Sequence, residues 1–133
     1  MNEIKYIDKD YFGQIMNSEY GKCHIAIIDG KDNRDWNSYI KTIEELYKFP
    51  TKDDNYAGYD DWMCDLSWFD VDEFVDEFVL FIINYDEFLS DDLKIKNIVM
   101  EGFKDSILPW WDEDVEKYVV EGKKKKFNVF IIK

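Results

Sequence analysis

The chain has 133 residues, which is enough for one domain with a buried core and too few for two. Apolar residues make up 46% of the sequence, a share typical of folded proteins, and aromatic residues make up 18%. Thirty acidic and seventeen basic side chains give a formal net charge of −13. This charge argues against direct binding to nucleic acid or to an anionic membrane, and it favours a basic protein as the partner. The simpler alternative is that the charge only keeps the protein soluble.

The cysteine content and the apolar runs bear on location and cofactors. Cys23 and Cys64 are the only cysteines, too few for a disulfide scaffold and without the spacing of a metal-binding CxxC motif. Residues 1–11 contain no apolar stretch of signal-peptide length, and no apolar run is long enough to cross a membrane. We therefore expect a cytoplasmic protein without a metal or cofactor. An oxygen-ligand site at residues 70–73 is an alternative, although the Asp and Gly spacing of a calcium loop is absent there.

Apolar segments predict the strands. In chain order, the first expected elements are a short strand at residues 4–7 and a helical turn near residues 11–16. Buried strands are then expected at residues 24–28, 78–83 and 127–132. The middle one, FVLFII, is a continuous apolar run, as expected for a strand that is covered on both faces.

Four helical segments are expected between these strands. The first ends at residues 49–50, because proline and the residue before it disfavour helix. The second begins after an N-cap within residues 53–55, the third begins after an N-cap at Ser90, and the fourth spans residues 112–119. The apolar stripes of the first three are Trp36, Tyr39, Ile40, Ile43 and Tyr47; Tyr56, Tyr59, Met63 and Leu66; and Ile95, Ile98, Val99, Phe103 and Ile107.

The order β-α-α-β-α-α-β predicts an α/β fold. Long helical connections between buried strands indicate a small three-stranded parallel sheet with right-handed crossovers, packed by helices. We expect residues 23–133 to form this domain, and residues 1–22 to be an N-terminal extension packed on it.

The most informative stretch is residues 51–77, where ten carboxylates accompany a single base, Lys52. On a helix starting near Asp54, Asp61 and Asp65 are four residues apart and share one face. Like charges at this spacing repel by a few tenths of a kcal/mol, so the pattern favours a role other than helix stability. A run of four lysines at residues 123–126 is most simply a solvated turn, with pairing to the acidic helix as an alternative.

Residues 55–68, NYAGYDDWMCDLSW, resemble the acidic helix of the barstar family of intracellular ribonuclease inhibitors. Family members show an Asn, an apolar residue, an Asp, a small residue, a large apolar residue and a second Asp four positions after the first. Residues 27–30 and the helix ending at residues 49–50 are similar to the first strand and helix of the family, and residues 125–129 are compatible with its last strand. The resemblance covers residues 23–133, and its specific part is the acidic helix.

The resemblance implies a barstar-like fold and a monomeric, non-catalytic protein that forms a one-to-one complex with a basic, barnase-like ribonuclease. In the family, the acidic helix and the loop before it enter the nuclease cleft, where carboxylates meet Arg, Lys and His side chains. Asn55 and Asp61 match family contact positions. Ala57 stands where the family usually has its first contact aspartate, and residues 51–54 contain no counterpart of the family's contact tyrosine.

The expected binding site therefore lies on the acidic helix. Asp60 supplies charge that compensates for Ala57, and Trp and Tyr side chains are favoured as interface anchors, with Trp68 as a further candidate. The predicted partner-binding residues are Asn55, Tyr59, Asp60, Asp61, Trp62 and Asp65.

Three other functions are weighed against this one. Paired carboxylates also serve as general acid and base in glycosidases, but nothing in the sequence resembles a framework for a cleft. The chain could instead be a barstar-fold immunity or regulatory protein for a different basic toxin. It could also be an acidic nucleic-acid mimic that binds a nuclease or another basic protein, since fold does not fix function.

Overall fold

The computed structural model describes residues 1–16, 22–52, 54–71 and 74–133. Its strands are β1 (Ile4–Tyr6), β2 (Cys23–Asp29), β3 (Glu77–Ile83) and β4 (Lys126–Ile131). Its α-helices are α1 (Lys9–Met16), α2 (Trp36–Leu46), α3 (Tyr56–Met63), α4 (Leu93–Gly102) and α5 (Val115–Tyr118). Two π-helical segments, Phe103–Ile107 and Trp110–Asp114, lie between α4 and α5, and 3-10 turns span Gly30–Asp32 and Ser67–Asp70.

The strands form one parallel sheet in the order β1-β4-β3-β2. The α/β class and the three buried strands are confirmed, as are the short N-terminal strand and the helix after it. The prediction of three strands is wrong by one, because Ile4–Tyr6 pairs in parallel with β4, placing Ile4 beside Val129. Asn2 extends this contact: its side-chain oxygen accepts a hydrogen bond from the Phe127 N–H at 2.9 Å.

Both faces of the sheet are covered, which explains the continuous apolar run of β3. Alternate residues of β3, such as Phe78 and Leu80, face the main core under the large helices. The residues between them, Val79 and Phe81, face α1 on the opposite side, where the Phe12 ring stands edge-on to Phe81 at a centroid distance of 4.8 Å. A strand buried on both faces has no polar alternation, as the sequence shows.

The helices lie where the apolar stripes predict them, but several details differ. The helix α2 ends at Leu46 and not at residues 49–50, α3 ends at Met63, and Ile98 of the predicted α4 stripe is 37% exposed. In α2, Tyr39, Ile40 and Ile43 are buried as predicted. Ser90 does not cap α4; Asp92 does, in an extended conformation, and its carboxylate accepts a hydrogen bond from the Ile95 N–H at 3.2 Å. The Ser90 N–H donates to the Glu87 carbonyl, so Ser90 belongs to the turn before the helix. The helix therefore begins two residues later than predicted.

The fourth predicted helix is present but is not one regular α-helix. A π-helical turn occupies Trp110–Asp114, and α-helical geometry is limited to Val115–Tyr118. No described helix combines the length and apolar character that crossing a membrane requires.

Candidate partner-binding surface

The start of the acidic helix α3 is fixed by two side chains. Asn55 is the N-cap, and its side-chain oxygen accepts a hydrogen bond from the Gly58 N–H at 2.8 Å. The indole N–H of Trp36, at the start of α2, donates to the carbonyl of Asp54 at 3.0 Å. The loop that enters α3 is therefore held against α2. Of the candidate caps, Asn55 is confirmed, and Asp53 lies outside the described residues.

The end of α3 is held in a similar way. The helix ends at Met63, and three residues later Leu66, whose side chain is fully buried, adopts a left-handed conformation with φ of 51°. The Trp111 indole N–H donates to the Met63 carbonyl at 2.9 Å, and the Trp68 indole N–H donates to the Tyr47 carbonyl at 2.8 Å. Tertiary contacts thus determine where α3 lies and how it is oriented.

Asp61 and Trp62 on the outer side of α3 come together with Asp65, which lies in the turn after the helix and not on it as predicted. Both carboxylates are exposed, Trp62 is half-buried, and together with Gly58 they line a shallow depression of about 220 Å³. The Trp62 ring rests edge-on against Trp68 with centroids 5.4 Å apart. Among the described residues, no Lys or Arg forms an ion pair with Asp61 or Asp65. We call Asp61, Trp62 and Asp65 the α3 surface.

Asp60 occupies the side of α3 that faces the π-helical segment. Its half-buried carboxylate accepts hydrogen bonds from the Ser106 hydroxyl, with distances of 3.0 Å to Oδ1 and 3.2 Å to Oδ2. Burial raises the pKa of Asp60, the Ser106 hydrogen bond opposes this rise, and the charge of Asp61 adds to it. Asp60 therefore adds negative charge beside the α3 surface, but its direct hydrogen bond is internal.

Tyr59 is in the core, contrary to its prediction as a partner contact. It is 0% exposed, and its hydroxyl lies 2.6 Å from the hydroxyl of Tyr39 on α2. Burial raises the pKa of Tyr59 well above its usual value, so the pair remains neutral. Tyr59 lies on the face of α3 that packs against α2, where its ring contacts those of Trp36 and Tyr39. It therefore cannot serve as an interface anchor.

The Cys64 thiol at the end of α3 is not poised for chemistry. Burial raises its pKa to about 12, and the carboxylates of Asp60, Asp61 and Asp114 add to the shift. A thiol that stays protonated is a poor nucleophile, which agrees with the packing role expected for this cysteine.

Lys125 is not part of a solvated turn. Its ammonium group lies 2.7 and 2.8 Å from the two carboxylate oxygens of Asp70, and it also donates to the carbonyl of Val75. Asp70 is thus engaged by a lysine and by the Val75 N–H at 2.9 Å. No cluster of three or more metal-binding side chains occurs in the described part of the chain; Asp72 and Glu73 of the alternative cation site fall outside that part.

No local pattern in the sequence signals the contacts of Ser106 and Trp111 with α3. Each lies more than forty positions along the chain from its partner on that helix. Only the packing of the segment between α4 and α5 against α3 brings them together. No protein family matches the chain, and neither the curated proteins nor the solved structures include one that is similar to it.

Proposed function

We propose that the chain is a barstar-like inhibitor that binds a basic ribonuclease and blocks its active site with the α3 surface and the loop before α3. The observation that carries the proposal is the pair of exposed carboxylates, Asp61 and Asp65, which flank Trp62 without a described cation. The nuclease would supply the missing Arg and Lys side chains, and the complex would be one-to-one.

The physical basis is charge complementarity on a rigid support. Carboxylates that meet Arg or Lys at a desolvated interface couple by up to several kcal/mol, and a cluster of like charges accelerates encounter. Because α3 is fixed at both ends by Asn55, Trp36 and Trp111, little entropy is lost in ordering it on binding. Trp62 offers a large, partly desolvated contact between the two charges.

The experiment is a titration of the protein into a turnover assay of a barnase-type ribonuclease. We expect stoichiometric inhibition. In the Asp61→Ala variant, the dissociation constant should rise by two orders of magnitude or more, corresponding to a loss of about 3 kcal/mol. Because the Asp61 side chain is exposed, the free energy of unfolding should change by less than about 0.5 kcal/mol.

The matched control is Asp10→Ala. This residue is also an exposed aspartate, and it lies on α1, across the sheet from α3. Asp10→Ala changes the net charge by the same amount as Asp61→Ala. Because Asp10 lies far from the α3 surface, inhibition should be unaffected. Equal weakening by the two variants would contradict a docking role for the α3 surface.

Ala57 favours a second candidate. This exposed residue occupies the turn before Asp61, at the position where the barstar family usually has its first contact aspartate. A barstar-fold immunity or regulatory protein for a different basic toxin would fit this difference, and so would an acidic nucleic-acid mimic. Failure to inhibit a barnase-type enzyme, with specific binding of another basic toxin, would favour the immunity protein; indiscriminate binding of basic proteins with a steep salt dependence would favour the mimic.

A further inference from the structure

A second and larger depression, of about 700 Å³, begins where the α3 surface ends. Asp65 lines both depressions and stands between them. One wall of the larger one comes from the end of α3 and the turn that follows, and the other from the segment around α5. We call it the Trp110 depression, and the residues that matter here are Asp65, Phe74, Trp110, Val115 and Val119.

The Trp110 depression lies beside an unusual concentration of exposed apolar side chains. Val119 is 44% exposed and contributes to the wall, and its neighbour Tyr118 is 75% exposed. Val120 is 94% exposed but does not line the depression. The Tyr118 ring stacks on Trp110 with centroids 6.3 Å apart. Contiguous apolar surface next to a polar rim is typical of protein-binding sites, because folding alone would favour its burial.

The charges around the depression are arranged unevenly. Lys125 reaches it, but its ammonium is already paired with Asp70, so this part of the wall is internally neutralised. Asp65 at the boundary with the α3 surface has only the Ser67 N–H as a hydrogen-bond donor, at 3.2 Å, among the described residues. Glu121 and Lys123 also line the depression and carry opposite charges, so Asp65 is the carboxylate that the depression presents at its boundary with the α3 surface.

We propose that the Trp110 depression receives a large apolar side chain of the basic partner protein, adjacent in that partner to a Lys or Arg that pairs with Asp65. The inference rests on the proposed function and extends its interface from α3 to α5. The occupant is a segment of a basic protein, because the depression is continuous with the α3 surface through Asp65, whose exposed carboxylate lines both.

The depression is preformed, which favours tight binding. The Trp111 indole ties the π-helical segment to α3, and the Lys125 N–H donates to the Trp111 carbonyl at 3.1 Å. In the same wall, the Gly122 N–H donates to the Val119 carbonyl at 2.9 Å and closes the turn after α5. A site held by backbone hydrogen bonds does not have to be ordered when the partner arrives.

The test compares Val119→Lys with Val120→Lys, using a barnase-type ribonuclease as the probe. Both variants add one positive charge to adjacent exposed positions, but only residue 119 lines the depression. Val119→Lys should raise the dissociation constant on the order of tenfold, as expected for loss of a buried apolar contact, and Val120→Lys should raise it less than about threefold. The difference should persist at 0.5 M salt, since screening weakens charge repulsion but not apolar burial.

The outcomes separate this inference from the proposed function. If Val119→Lys and Val120→Lys have equal effects while Asp61→Ala still raises the dissociation constant by about two orders of magnitude, the partner does not use the depression and only the inference is overturned. If the difference between the lysine variants disappears at high salt, the apolar contact is likewise excluded. If the unmodified protein does not bind the ribonuclease at all, both proposals are overturned.

Discussion

The ammonium of Lys125 forms a two-pronged ion pair with the carboxylate of Asp70, joining the residue before β4 to the turn that follows α3. The Lys125 side chain is only 4% exposed, and its ammonium nitrogen lies 4.4 Å from the centroid of the Phe74 ring. Desolvation of a charged lysine is unfavourable unless each of its donors is used. Here the Asp70 carboxylate and the Val75 carbonyl accept the hydrogen bonds of the Lys125 ammonium. The ion pair therefore holds in place the turn that contains Asp65 and Ser67.

Removing the lysine should therefore destabilise the fold. Lys125→Met leaves the Asp70 carboxylate, which is 29% exposed, without its cation, and we expect a loss of about 2–3 kcal/mol in the free energy of unfolding. Lys124→Met is the matched control, because Lys124 pairs with Glu116 at the surface and should contribute less than about 1 kcal/mol. Urea denaturation measures both, and equal losses would show that Lys125 behaves as a surface residue.

The Tyr39–Tyr59 hydroxyl pair predicts strong non-additivity. Tyr59→Phe leaves the buried Tyr39 hydroxyl without this partner, which should cost about 1–3 kcal/mol of unfolding free energy. The double variant Tyr39→Phe/Tyr59→Phe removes both hydroxyls and should be less destabilised than the sum of the single variants. A double-mutant cycle by thermal or urea denaturation gives the coupling; additive losses would argue against the hydrogen bond. Inhibition of the nuclease should be the same in Tyr59→Phe and the unmodified protein, because residue 59 is not at the surface.

Asp60 predicts a pH-dependent contribution to stability. Since burial raises its pKa in the folded state above the usual 3.8, the folded state binds the proton more tightly than the unfolded state does. The stabilising contribution of the protonated carboxyl is complete below about pH 3.8 and is lost as the pH rises through the elevated pKa. Asp60→Asn cannot ionise and keeps an acceptor for Ser106, so its stability relative to the unmodified protein should increase across this pH range.

Unfolding free energies of the two proteins, measured at several pH values, check this expectation, and a constant difference would contradict it. Ser106→Ala provides the complementary variant. The Ser106 hydroxyl stabilises the ionised carboxylate, so its removal should raise the pKa of Asp60 further and extend the pH range over which stability is lost.

Association with a basic nuclease should depend strongly on salt. The screening length falls from about 10 Å at 0.1 M to about 3 Å at 1 M ionic strength, so attraction to the exposed carboxylates of α3 is largely lost at high salt. We expect the association rate constant, measured by stopped-flow fluorescence, to fall by at least tenfold over this range. Asp61→Ala should show a shallower dependence than Asp10→Ala. A rate independent of salt would show that the acidic face of α3 does not guide encounter.

Local patterns in the sequence determine most of the secondary structure and the parallel sheet. The apolar runs of β2, β3 and β4, the stripe of α2 and the Asn55 cap of α3 are short-range features, and the structure confirms each of them. The N-cap of α4 differs, because Ser90 and Asp92 are both good capping residues and the turn before the helix decides between them.

The spacing of Asp61 and Asp65 predicts two carboxylates on one side of a helix. In the structure α3 ends at Met63, so Asp65 lies in the turn after the helix, although its side chain still lines the same depression as Asp61. The tertiary structure alone decided that Tyr59 belongs to the core, that Asp60 bonds to Ser106 and that Lys125 is buried with Asp70. Each of these outcomes depends on a partner twenty or more positions away in the chain. A periodic pattern specifies which side of a helix a residue occupies, but only the packing of the other elements specifies which side is covered.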